Sequence, residues 1–235
     1  MSDVELVDVS GLARDETNKV INDGKNVVFY TSNLDENTEK LMDFIIACIL
    51  SKYGKDHFQA TIYSSLKELV INGTKANAKR IFFKEIDFNI DDPAQYDDGM
   101  KQMKEKISES FFDGYGVKAK DAGFQVDVQF IHDDTGMRVE VINNTVIVPQ
   151  DESRIREKLH AGMQYEDLVA FYMDNADNTE GEGMGLVMII LMLKGENIDP
   201  GNFRIEAYED KTAARLEIPF NENYVNMRDR LGLKK

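Results

Sequence analysis

Residues Thr179–Leu193, TEGEGMGLVMIILML, constrain the fold more than any other stretch: glycines at 181, 183 and 185 run straight into the apolar block 186–193. An apolar run of that length after a glycine-rich loop reads as a buried helix. Its first turn gathers unpaired amide N–H groups and the positive end of the helix dipole, which together form an anion site. Glycines at alternate positions let a phosphate approach with no Cβ in the way. The stretch is not a Walker loop, for it lacks Gly-Lys-Ser/Thr, and no strand leads into it as a Rossmann fingerprint requires.

About a hundred residues upstream, Lys67–Ala78 reads KELVINGTKANA. In a helix predicted over roughly 56–81, Glu68, Asn72 and Lys75 stand at i, i+4 and i+7 and share one face, while Ile62, Leu66, Leu69, Val70 and Gly73 fall on the other. Lys79 is assigned to the polar face as well. A carboxylate, an amide and an ammonium on one stripe suit a metal-bound phosphate. Taken alone, such a stripe is more often a solvated helix face, and its pairing with the glycine loop is what gives it weight.

The balance of 28 Lys and Arg against 43 Asp and Glu gives a net charge of −15. That excludes sequence-blind attraction to nucleic acid and to anionic membranes, because both need phosphates neutralised by clustered cations. The 235 residues can bury one substantial core, and one domain with additions is expected. Cys48, in the apolar run Phe44–Leu50, reads as a small buried hydrophobe in a reducing compartment. The acidic start MSDVELVDVS is no ordinary secretion signal, and no apolar run reaches the roughly 18 residues of a membrane helix. A cytoplasmic protein is the expectation. His57, His132 and His160 are scattered and make no metal pair. Arg154, Arg156 and Lys158 fall in a charge run of the usual solvated kind.

Along the chain, a strand is expected over Asn26–Thr31 and a helix over about 36–53, with Asp35 or Asn37 as its cap. Residues 84–123 read as an acidic helical insertion, with one helix over about 93–112 and a glycine-punctuated turn, DGYG. Phe124–Ile131 and Met137–Ile142 alternate apolar and polar residues around HDDTG and predict a hairpin. Short helices are expected over Asp151–Leu159 and Tyr165–Tyr172, and a closing hairpin over Phe203–Tyr208 and Ala213–Ile218. The fold class is α/β (α+β), with residues 1–55 an N-terminal extension and residues 56–83 and 124–220 a core.

In this order the chain resembles the GHKL superfamily, which includes histidine-kinase ATP-binding domains, anti-sigma-factor kinases, gyrase-type ATPases and a heat-shock chaperone. ELVINGTKAN looks like its N box and GEGMGL like its second glycine box. The resemblance implies a Bergerat-type two-layer sandwich with a mixed, mostly antiparallel sheet and helices on one face. It implies ATP and Mg²⁺ as ligands. Glu68 falls where some members place the base that activates water, Asn72 where the magnesium ligand sits, and Lys75 where a residue approaches phosphate. Gly181, Gly183, Met184, Gly185 and Leu186 match the phosphate-contacting loop, and Thr212 the threonine beside the adenine pocket.

The family's DxGxG box is altered. RVEVINNTVIV puts Asn143 where the adenine-binding aspartate stands, and Thr145 and Ile147 where glycines stand. An amide oxygen still accepts a hydrogen bond, without the charge. Asp134-Thr135-Gly136 nearby is ordinary turn chemistry. Two readings stay open: a Mg-ATP-binding ATPase or kinase acting in signal transduction on a separate protein partner, and a catalytically inactive module on the same fold. The N-terminal extension and the insertion are surfaces for dimerisation or for a regulated protein.

Overall fold

The computed structural model of the protein describes residues 4–7, 14–107, 109–174 and 184–232. Among these, β1 (Val4–Leu6), β2 (Asn26–Thr31), β3 (Val126–His132), β4 (Gly136–Asn143), β5 (Phe203–Ala207) and β6 (Thr212–Pro219) form one sheet. The strand order is β1-β2-β3-β4-β6-β5, with β1 parallel to β2 and every other pair antiparallel. The helices are α1 (Arg14–Asn22), α2 (Glu36–Tyr53), α3 (Gln59–Glu85), α4 (Pro93–Lys106), α5 (Glu109–Asp121), α6 (Pro149–Gln164), α7 (Leu168–Asp174), α8 (Met184–Gly195) and α9 (Met227–Arg230).

Alternation along β3, and along β4 from Met137 onward, buries every second residue, so these strands have one apolar and one polar face. Register carries Phe130, Val139, Leu216 and Phe203 across four strands in one row. That row joins a single core with Ile45 and Ile49 of α2, Leu66 and Val70 of α3, and Ile189 and Leu193 of α8. On the other face, Arg138 stands opposite Glu217 and Arg215 opposite Glu140, opposite charges side by side as cross-strand pairing favours. The architecture is α+β with a mixed, open six-stranded sheet.

Local chemistry sets the helix ends. Asp35 caps α2 by accepting from Thr38 N at 2.8 Å, and Gly54 closes it in the left-handed region at φ 66°. Helix α3 runs past its expected end to Glu85 because Phe82 and Phe83 are buried in a second apolar cluster with Tyr96, Met103 and Val148. The insertion is two helices where one was expected. DGYG, expected as a turn, lies inside α5. A Cβ at Gly116 would sit 2.9 Å from Asn33 Cβ, so that glycine serves close packing of α5 on the loop before α2. Helix α1 and strand β1 were not legible as elements: α1 buries only Thr17 and Ile21, and β1 has three residues, too little pattern to register.

Candidate functional site

Helix α3 lies close against the sheet at Gly73, where an added Cβ would stand 3.0 Å from Val126 Cγ2. Val126 pairs with Asn143 in β4, and Asn143 pairs with Thr212 in β6. Asn143, Thr212 and Gly73 therefore meet at one end of the sheet. The Asn143 Nδ2 donates to the Gly73 carbonyl at 3.1 Å. A carbonyl can only accept, so this bond fixes which way the amide points. The Asn143 Oδ1, buried, is left without a partner.

Asn77, one turn beyond Gly73, has no solvent exposure; its Oδ1 accepts from Thr145 Oγ1 at 3.4 Å and its Nδ2 has no partner. Thr212 Oγ1 donates to the Thr145 carbonyl at 2.9 Å. Burying an amide donor and an amide acceptor unpaired costs about 1–3 kcal/mol each. Of the two, Asn143 is the one with some solvent exposure, 7% against none for Asn77, so its oxygen is the acceptor a ligand could reach.

One turn back along α3, Asn72 Nδ2 donates to Glu68 Oε1 at 3.0 Å. A carboxylate only accepts, so the Asn72 Oδ1 is left as an oxygen for a ligand. The Glu68 carboxyl lies directly against the first turn of α8: a Cβ at Gly185 would overlap the Glu68 carboxyl carbon. No other residue type fits beside Glu68 in this arrangement, which is what the glycine at 185 does. Glu68, Asn72 and Gly185 are thus brought together from stretches more than a hundred residues apart.

The remaining predicted positions are placed differently. Lys75 is exposed, and its ammonium lies over the Phe112 ring of α5, 5.6 Å from the centroid. Leu186 is buried in the main core, and Met184 packs against the small cluster of Phe171, Val187 and Leu191. Only the backbone of these two is left to meet an anion. Gly181 and Gly183 lie outside the described residues.

Lys79 corrects the polar-face assignment. It is 8% exposed and ion-paired to Asp151 of α6. Tyr96 of α4 donates to the same carboxylate at 2.6 Å, and Arg154 Nη1 donates to Tyr96 Oη at 3.4 Å. Burial lowers the Lys79 pKa, against the opposing pull of Asp151, and burial raises that of the Tyr96 phenol, which donates to Asp151. Helix α3 is enclosed on this side by the insertion, so a residue on its expected solvent face is buried. The sequence signal was Tyr96 and Asp151, the one in an acidic segment and the other in a charged helix, with nothing local to join them.

Compared with known proteins, the chain is 31% identical over 195 residues to an uncharacterized protein of Treponema pallidum (strain Nichols). The alignment takes in 83% of this chain and 38% of that protein, so the chain spans well under half of the relative's length. No family model matches the chain. No solved structure matches it either.

Proposed function

We propose that this protein binds Mg-ATP as a member of the GHKL superfamily with a Bergerat-type fold, and that it acts in regulation on a separate protein partner. The observation that carries the reading is the seating of the Glu68 carboxyl, bonded to Asn72, on Gly185 at the start of α8. A base and a metal ligand on one helix, held against the amide-rich end of another, is the pairing that phosphate chemistry needs.

The buried, unpartnered Asn143 Oδ1 fits the ligand, and the glycine at 185 lets the Glu68 carboxyl sit at the start of α8. Asn143 accepts from the exocyclic amine of adenine, with Thr212 beside it. Asn72 Oδ1 is a hard oxygen of the kind Mg²⁺ takes and would contribute one ligand to its coordination. That coordination does not depend on a cluster of protein ligands, and among the described residues no group of three or more His, Cys, Asp or Glu side chains is arranged to hold a metal alone. Bound magnesium supplies charge neutralisation at the phosphates. The amides at Met184–Leu186 offer N–H donors to phosphate, and Glu68 orients a water or a hydroxyl for attack.

A second reading, an inactive binding module, is favoured by one feature. Thr145 stands buried where the family has a glycine, with its carbonyl taken by Thr212. Calorimetry with Mg-ATP separates the two. The first reading expects micromolar, magnesium-dependent binding by the native protein, lost in Asn72→Ala and Gly185→Ala variants that still unfold cooperatively well above the assay temperature. No binding at millimolar nucleotide overturns it and leaves the module.

A further inference from the structure

Where α3 runs into the insertion, a cleft of about 500 Å³ opens, lined by Arg80, Phe83 and Lys84 of the helix, Phe88 of the following turn and Phe124 just before β3. Pockets of roughly 300–1,000 Å³ hold small molecules. Arg80 is twelve residues along α3 from Glu68, about 18 Å at 1.5 Å per residue, so the cleft is separate from the Glu68–Gly185 seat. It exists because the chain turns back at residues 87–90, with Asp87 in the left-handed region at φ 56°.

Two features of the lining point to one ligand chemistry. The half-buried rings of Phe88 and Phe124 offer apolar surface for a flat body. Two cations line the same cleft against a single carboxylate, Asp87, in a chain whose net charge is −15. Arg80 donates to the Val146 carbonyl, its one hydrogen bond among the described residues. That bond anchors the guanidinium and leaves four of its five N–H donors without an acceptor. Burial disfavours its charge, and Asp91 and Asp151, whose charges favour it, make no hydrogen bond to it among the described residues. Lys84 is exposed and has no ion pair among the described residues. A neutral apolar molecule would leave both cations unmatched, and inorganic phosphate would leave the rings bare.

We propose that this cleft binds a small aromatic carboxylate, its ring against Phe88 and Phe124 and its carboxylate on Arg80 and Lys84. The fixed fork of Arg80 suits a bidentate carboxylate, and Lys84 adds a second charge from the open side. The site stands on its own residues and does not depend on nucleotide binding.

The test titrates 1-naphthoate into the full chain, in the absence of nucleotide, beside neutral 1-naphthamide and inorganic phosphate. Saturable one-to-one binding of naphthoate is expected, with naphthamide about tenfold weaker and phosphate undetectable. Lys84→Gln, at an exposed position that leaves the unfolding midpoint unchanged, weakens naphthoate about fivefold; Arg80→Gln weakens it about tenfold, and Phe88→Ala weakens both naphthalenes. Asn72→Ala leaves naphthoate binding intact, which separates this site from the nucleotide reading. Equal binding of naphthoate and naphthamide, no response to Lys84→Gln and Arg80→Gln, or no saturable binding overturns the proposal.

Discussion

The side-chain amide of Asn143 is held by the backbone carbonyl of Gly73, 3.1 Å from Nδ2 to oxygen, across the seam between β4 and α3. The bond does two things at once. It ties helix to sheet where Gly73 lets them approach closely, and it turns the Asn143 oxygen, with no partner of its own, into a fixed acceptor.

Restoring the aspartate that the resembled family carries should therefore harm this protein. In Asn143→Asp the carboxylate faces the Gly73 carbonyl with no hydrogen to offer, and two acceptors meet in a buried place. A loss of about 1–3 kcal/mol of stability at pH 7 is expected. Protonation returns a donor, so the deficit relative to native protein should shrink toward pH 4. Urea unfolding of both proteins at the two pH values measures it; equal stability at pH 7 would remove the argument.

Gly185→Ala tests the seat of Glu68. The added Cβ overlaps the Glu68 carboxyl, but that side chain can swing aside, so the stability cost should be near 1 kcal/mol. The swing breaks the bond to Asn72, and nucleotide affinity should fall by far more than stability does. In a double-mutant cycle with Glu68→Ala, the stability cost of Gly185→Ala should largely vanish, giving a coupling of about 1 kcal/mol. Independent, additive effects would show that the two residues do not share the space.

What was legible in the sequence follows from where the physics is local. Period-two alternation made β3 and β4 visible, Asp35 announced the start of α2, and the glycine run with its apolar block announced α8. The spacing of Glu68 and Asn72 gave one face of one helix, which the structure keeps. What stayed hidden is decided by the insertion. Lys79, Phe82 and Phe83 lie on α3 at positions whose burial depends on α4 and α5 folding back over them, and no periodicity within α3 encodes that. Lys75 likewise lies over Phe112, a neighbour 37 positions on in the sequence. Asn77 was in plain view in KELVINGTKANA, yet an asparagine in a helix signals nothing until Thr145 is known to face it.

His132 should make the protein acid-sensitive well above the range of carboxylates. Its Nε2 lies 3.1 Å from the Lys25 carbonyl and must carry the proton there, so Nδ1 accepts from Tyr53 Oη at 2.9 Å. The ring is held neutral, and burial, with a smaller contribution from the charge of Lys52, lowers its pKa from 6.5 to about 4. Above pH 6.5 neither folded nor unfolded chain protonates it, and its contribution is whole. Between pH 6.5 and 4 the unfolded chain takes up a proton that the folded chain refuses, so stability falls with pH, by roughly 3 kcal/mol in total. Unfolding free energies from pH 7.5 to 5, where most carboxylates remain ionised, should show this slope in the native protein and lose it in His132→Gln.

The Lys79–Asp151 pair joins α3 to α6, with Tyr96 of α4 bonded to the same carboxylate, and its two ways of being removed should differ. Asp151→Ala leaves an ammonium in a site where it is 8% exposed, with only the Tyr96 oxygen, 3.4 Å away, to receive it. Breaking one side of such a pair costs about 3–5 kcal/mol. Replacing both, Lys79→Met with Asp151→Leu, removes the desolvation penalty along with the attraction and should recover most of that loss. Tyr96 then becomes the informative witness. Its hydroxyl donates to Asp151, so in the double variant the hydroxyl keeps only Arg154 as a hydrogen-bond partner, and Tyr96→Phe, costly in the native protein, should become nearly neutral. Urea unfolding of these four variants decides it. If Asp151→Ala costs under 1 kcal/mol, the pair does not hold the insertion to α3 and α6, and the apolar cluster of Phe82, Phe83 and Met103 does so unaided.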